Sequence, residues 1–175
     1  MPVKRALGQF HFVILVLAAA LASGSRPAKA ADPDFIGFSL GYFDVNHQRN
    51  DALEARIEYR SDKRFWLFKP FGGMMTNNDA AFHAYAGVLI DIYFGRRIVI
   101  TPSFAPGLYL HGGSKDLGYP LEFRSQIEIA YRFDDYSRLS LSFNHISNAS
   151  LGDRNPGVET LAVSYIIPFN KLFGN

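Results

Sequence analysis

From residue 35 to residue 169 apolar and polar residues alternate with a period of two, the repeat of a strand whose successive side chains point to opposite faces. In residues 52–60, Leu53, Ala55, Ile57 and Tyr59 take one face, and Glu54, Arg56, Glu58 and Arg60 take the other. Residues 121–133 repeat the pattern, with Phe123, Ile127, Ile129 and Tyr131 opposed to Glu122, Arg124, Gln126, Glu128 and Arg132. Residues 81–93 set Phe82, Ala84, Ala86, Val88, Ile90 and Ile92 against His83, Tyr85 and Asp91. Runs at 35–45, 65–75, 97–111, 138–147 and 157–169 complete a set of eight expected strands, separated by polar or Gly- and Pro-bearing connections. No stretch holds a helical period. The pattern predicts an all-β, eight-stranded antiparallel barrel.

Alternation does not say which face is inside, since a soluble carrier barrel hides its apolar face and an outer-membrane barrel shows it to lipid. The polar face of the last two runs (Ser140, Ser142, Asn144; Thr160, Ala162, Ser164) is small and uncharged, which suits a tight lumen. Aromatic residues gather near expected strand ends, at Tyr42-Phe43, Phe65-Trp66, Tyr93-Phe94, Tyr131 with Phe133, and Phe169. Such clusters form the girdles of a membrane barrel. An eight-stranded outer-membrane β-barrel is therefore expected, its lumen filled by side chains and not a pore. The alternating charges Glu54, Arg56, Glu58, Arg60, Glu122, Arg124, Glu128 and Arg132 then become an internal ion-pair lattice, because buried charges need partners. His47, His83 and His111 are scattered without metal-ligand spacing.

Residues 1–30 carry the pattern of a secretory signal peptide: Lys4 and Arg5, an apolar run too short to span a bilayer, then Ala28-Lys29-Ala30. This leaves residues 31–175 as the barrel domain. The leader also removes a bias from the charge count. It holds four of the 18 basic residues and no acid, leaving 14 basic against 16 acidic groups. Such a domain lacks the basic surface of a nucleic-acid binder. The absence of cysteine excludes disulfides, thiolate metal sites and a cysteine nucleophile.

Candidate chemistry is confined to one segment. His145 and Ser147 lie two residues apart near the end of the seventh run and share the apolar face with Leu139, Leu141 and Phe143. Glu159, at the start of the eighth, shares parity with Leu161, Val163, Tyr165 and Ile167. A hairpin through 148–156 sets His145 opposite Glu159, about 5 Å apart at Cβ. A nucleophile, a base and a group that orients the base then meet on the outside of the barrel. Strand ends are where polar residues on a lipid-facing wall cost least. With the N-terminus in the periplasm, this rim faces the outer leaflet and its lipopolysaccharide.

The stretch His145-x-Ser-Asn-Ala … Asn155-Pro-Gly-x-Glu159 resembles the C-terminal signature of the lipid A 3-O-deacylase family, most closely over residues 143–169. The resemblance implies a Gram-negative outer-membrane serine esterase that hydrolyses the 3-O-linked acyl chain of lipid A, releasing a 3-hydroxy fatty acid. It matches His145, Ser147 and Glu159 to the family triad. It matches Asn155 to an oxyanion donor acting with a backbone N–H just after Asn148-Ala149, which makes Asn148 and Ser150 substrate-positioning candidates. Ser150 stands where many members have glycine, and the chain runs past Phe169 to Asn175 instead of ending on the aromatic. No metal or organic cofactor is implied. The expected partners are lipid A and the lipid of the outer membrane, and the sequence leaves oligomeric state open, a homodimer included. The rival readings are a non-enzymatic eight-stranded membrane barrel with a structural or surface-binding role and a soluble periplasmic carrier.

Overall fold

A computed structural model describes residues 32–46 and 50–174, so the leader and His47 lie outside the described residues. Nine strands follow in order: β1 (Phe35–Phe43), β2 (Ala52–Arg60), β3 (Lys69–Asn77), β4 (Phe82–Leu89), β5 (Ile92–Phe94), β6 (Ile98–Leu110), β7 (Leu121–Arg132), β8 (Arg138–Ser147) and β9 (Val158–Pro168), with a short helix α1 (Phe169–Phe173). All pairings are antiparallel, and the sheet closes on itself through β4–β6 and β1–β9.

The barrel nevertheless has eight staves. β4 and β5 both pair with β6 in one continuous register, Leu89 opposite Ser103 and Ile92 opposite Ile100. The break between them faces Pro102, whose ring nitrogen has no hydrogen to donate; only the Ile90 N–H reaches the Pro102 carbonyl, at 3.1 Å. The eight-stranded expectation thus holds, with one stave interrupted by a proline across the ladder.

The apolar faces point outward. Leu40 is 74% exposed and Leu53 69%, whereas Arg124 is 1% and Glu54 2% exposed. Only a lipid surround makes such an arrangement stable, because in water the outer wall would be a continuous apolar patch. Inside, Arg60 bridges Glu58 at 2.8 Å and Glu128 at 2.7 Å, Arg56 pairs with Glu54, and Arg124 lies 3.3 Å from Glu58. The Tyr85 hydroxyl donates to Glu58 at 2.7 Å, and the Thr160 hydroxyl donates to Glu54 at 3.1 Å. Two members of the expected lattice stand apart from it. Arg132 sits at the rim beside Asp32, at 3.3 Å, because its strand ends there. Glu122 is fully buried with no hydrogen-bond partner among the described residues, because Gly107 is its register partner on β6 and offers no side chain.

A second ionic layer closes the end where the described chain begins and ends. Lys69 contacts Asp91 and Asp62, each at 3.0 Å, and Arg138 reaches Asp91 at 3.1 Å and Asp32 at 3.3 Å. β3 starts four residues later than the alternation implies. Phe65 and Phe68 instead close a tight turn through reciprocal backbone hydrogen bonds of 2.9 and 3.0 Å, with Trp66 at φ 59°. Phe65 is 85% and Trp66 72% exposed. Aromatics are stable at a membrane boundary without being in a strand, so an apolar run there is a poor marker of strand limits. The two longest described connections, residues 111–120 and 148–157, are both at the opposite end.

Candidate functional site

β8 and β9 carry the site. Their register makes His145 and Glu159 direct partners, and β7 sets Phe123 beside Ser147 and Ser125 beside His145. Because the strand period is two, His145 and Ser147 emerge on the outer wall with Leu141 and Phe143 below them. His145 Nδ1 lies 2.9 Å from Glu159 Oε1, and the two side chains are 33% and 15% exposed. A carboxylate at that distance accepts the Nδ1 hydrogen, which fixes the tautomer and leaves Nε2 as the basic nitrogen. Neither Nε2 nor the Ser147 hydroxyl has a hydrogen-bond partner among the described residues.

Gly157 makes room for the ring. It adopts φ +63°, and a Cβ there would lie 2.8 Å from His145 Cε1. Only a residue without a side chain accommodates both the backbone and the imidazole at this point. In the sequence this glycine stands within Asn155-Pro-Gly-x-Glu159, and the signal of its role is its position immediately before the strand that carries Glu159.

The loop at 148–157 is wound around Asn148, which is fully buried. Its side-chain amide donates to the carbonyls of Leu117 (2.8 Å) and Arg154 (2.9 Å), and its Oδ1 accepts the Ser150 N–H at 2.9 Å. The Asn148 N–H in turn donates to Asn155 Oδ1 at 3.1 Å, which orients the exposed Asn155 and leaves its Nδ2 hydrogens open. Ala149 and Ser150 occupy the left-handed region, at φ 53° and 65°. The backbone donor expected from the sequence, the Ser150 N–H, is thus engaged by Asn148 in this structure, while the neighbouring Ala149 N–H has no acceptor among the described residues.

The connection at 111–120 braces that loop. Leu117 is buried, and Lys115 pairs with the buried Asp44 at 2.6 Å. Asp116 pairs with Arg154. The Gly118 N–H, 2.8 Å from the Asp116 carboxylate, holds that carboxyl below its usual range, with Arg154 adding to the effect. This brace leaves no sequence motif, since Leu117 reaches Asn148 through its backbone carbonyl and the Asp116–Arg154 pair joins residues 38 positions apart. No group of three or more His, Asp or Glu side chains among the described residues is arranged to hold a metal ion.

A closed eight-stranded barrel with its apolar wall outward is an outer-membrane β-barrel, and here it carries a histidine–carboxylate pair on that wall. Residues 34–168 match the model of the family described as lipid A 3-O-deacylase (PagL), and the chain belongs to that family. Among solved structures, the crystal structure of the outer membrane enzyme PagL superposes with a TM-score of 0.63 at 18% identity, over 77% of this chain and 99% of that one. A de novo designed transmembrane β-barrel gives 0.58 at 8% identity, over 79% and 97%. Neisserial surface protein A gives 0.57 at 10% identity, over 78% and 96%. These likenesses establish the fold. No curated protein matches the chain in sequence.

Proposed function

We propose that the protein is an outer-membrane serine esterase that removes the 3-O-linked acyl chain of lipid A, with Ser147 as nucleophile, His145 as base and Glu159 as the group that orients the base. The carrying observation is the 2.9 Å contact between His145 and Glu159 on the lipid-facing wall, two residues from Ser147. Membership of the deacylase family supports the choice of substrate. The end with the longest connections faces the cell exterior, as in other outer-membrane barrels, so the site meets the headgroup boundary of the outer leaflet.

The Ser147 hydroxyl attacks the ester carbonyl while His145 Nε2 takes its proton, and Glu159 stabilises the imidazolium that forms. Asn155 Nδ2 and a backbone N–H of the Ala149-Ser150 turn stabilise the oxyanion; losing one such donor costs about 10²–10³ in rate. Collapse of the intermediate expels the sugar 3-hydroxyl with the proton from His145, leaving the acyl group on Ser147. Water then attacks that ester with His145 again as base, releasing a 3-hydroxy fatty acid and restoring the serine. No step requires a cofactor.

The test is purified barrel incubated with lipopolysaccharide in detergent micelles, followed by mass spectrometry of free fatty acid and residual lipid A. Release of a 3-hydroxy fatty acid from the 3-position is expected. Intact lipid A, or loss of a different chain, rejects the substrate assignment.

A further inference from the structure

The barrel end away from the triad carries an exposed aromatic and basic surface that the proposed chemistry does not use. The hairpin between β2 and β3 runs past its ladder to a two-residue tip, Trp66-Leu67, closed by the reciprocal Phe65–Phe68 hydrogen bonds. Trp66 holds φ 59° at the first position of that tip, where a left-handed backbone is ordinarily supplied by glycine. A bulky side chain kept there against the steric cost points to a use for the side chain itself. A second turn stands beside this tip. β3 pairs with β4, Lys69 opposite Leu89, and the same stave continues into β5, which ends on the exposed Phe94 and the Gly95-Arg96 turn. The two turns carry four basic side chains, Lys63 and Arg64 on one and Arg96 and Arg97 on the other. The acids near them are already engaged. Asp62 contacts Lys69 at 3.0 Å and lies 3.9 Å from Arg64, Asp134 pairs with Arg97 at 2.7 Å, and Asp34 accepts from the Asp62 N–H and the Tyr59 hydroxyl. Lys63 and Arg96 form no salt bridge among the described residues. At the site end, by contrast, Lys115 and Arg154 are each paired with an acid.

We propose that this rim, formed by Lys63, Arg64, Trp66, Phe94 and Arg96, is a docking surface for anionic phospholipid in the leaflet opposite the site. The inference goes beyond the esterase reading and takes from it only the orientation of the barrel. With the site in the outer leaflet, this rim lies in the periplasmic leaflet, where the available anion is the phosphodiester headgroup of a glycerophospholipid. A guanidinium offers such a phosphate paired N–H donors, and an ammonium offers it a compact charge. An indole is stable where headgroups meet acyl chains, so Trp66 and Phe94 take the glycerol and upper chain region while the cations beside them take the phosphate. Basic residues at that depth draw anionic lipid out of a mixed leaflet.

Trp66 is the only tryptophan in the chain, so its fluorescence reads this surface directly. The full barrel is reconstituted in vesicles of phosphatidylcholine with a minor share of phosphatidylglycerol. Bromine, which quenches an indole at contact range, is carried on the acyl chains of the phosphatidylglycerol in one preparation and on an equal amount of phosphatidylcholine in the other. Brominated phosphatidylglycerol is expected to occupy the Trp66 surface at least about fivefold more readily than brominated phosphatidylcholine, the scale of one basic residue at an anionic surface. The preference should shrink as salt is raised. The combined variant Lys63→Gln, Arg64→Gln, Arg96→Gln should abolish it, and Lys171→Gln, at the end of the chain beyond β9, should keep it; heat-modifiable gel migration checks each fold. Equal quenching by the two lipids in the wild type overturns the proposal, and so does a preference that survives in the folded combined variant. Trypsin added to intact cells should leave Lys63 and Arg64 uncut, and cleavage there overturns the assignment to the periplasmic leaflet. A barrel that shows the lipid preference but releases no fatty acid from lipopolysaccharide would support this surface while removing the esterase reading.

Discussion

Replacing Gly157 by alanine places a methyl group 2.8 Å from His145 Cε1. Carbon atoms settle at about 3.5–4.0 Å, so the ring must retreat by roughly 0.7 Å or more. It cannot do so freely, because Nδ1 is tied to Glu159 at 2.9 Å, and rotation away from the methyl group lengthens that bond. Displacements of about 1 Å at a reacting group cost on the order of 10²-fold in rate, so Gly157→Ala should lose about 30- to 100-fold in kcat, or roughly 2–3 kcal/mol of barrier. The left-handed backbone at this position adds about 1–2 kcal/mol of strain for any residue with a side chain. That strain falls on the loop, so the barrel should still form and shift its migration on heating. The assay is release of 3-hydroxy fatty acid from lipopolysaccharide micelles by wild type and variant at saturating substrate. An unchanged kcat in a folded variant would refute the claim that the imidazole position is set by this glycine and matters to the chemistry.

The same reasoning runs in reverse at Ser150, which holds φ 65° with a side chain attached. Ser150→Gly should stabilise the loop by about 1 kcal/mol and retain activity, measured as reduced proteolytic cleavage at residues 148–157; increased cleavage would contradict the strain assignment. In the lumen, Arg60→Ala strands the buried carboxylate of Glu128 and takes one of its partners from Glu58, and should cost about 3–5 kcal/mol, read from the urea midpoint of the barrel in lipid vesicles. At the turn between β7 and β8, hydrogen bonds from Lys171 and Ser137 hold the Asp135 carboxyl down to about 2. A depressed folded-state value means the contact contributes fully above the ordinary carboxylate range and is lost as pH falls towards 2. The small stability difference between wild type and Asp135→Asn should therefore be present at neutral pH and vanish in strong acid, and a difference that grows on acidification would contradict the sign.

The barrel and the pairing of His145 with Glu159 were legible in the sequence because both depend on parity. A period of two puts His145, Ser147 and Glu159 on one wall whichever way the strands are drawn, and a hairpin between β8 and β9 leaves little freedom in their register. The limits of β3 were not legible. Phe65, Trp66 and Phe68 are as apolar as strand residues, but their burial is supplied by the membrane boundary and not by a ladder. The split between β4 and β5 depends on Pro102, which acts on its neighbour across the sheet and so leaves no mark in the strand it interrupts. The work of Asn148 was hidden for a related reason. Its partners are the carbonyls of Leu117 and Arg154, and backbone acceptors carry no residue type that a motif could register. Gly157 lay in plain view, but its purpose needs the position of a ring fixed from another strand.

The central claim is that Ser147, activated by His145 and Glu159 on the outer wall, cleaves the 3-O-acyl ester of lipid A in the outer leaflet. Mass spectrometry of lipid A extracted from intact Gram-negative cells producing either the wild type or Ser147→Ala tests it most directly. Lipid A from the wild-type strain should lack the mass of one 3-hydroxyacyl group, while an equally abundant, heat-modifiable Ser147→Ala barrel should leave lipid A whole. The same mass loss in the Ser147→Ala strain would contradict the account.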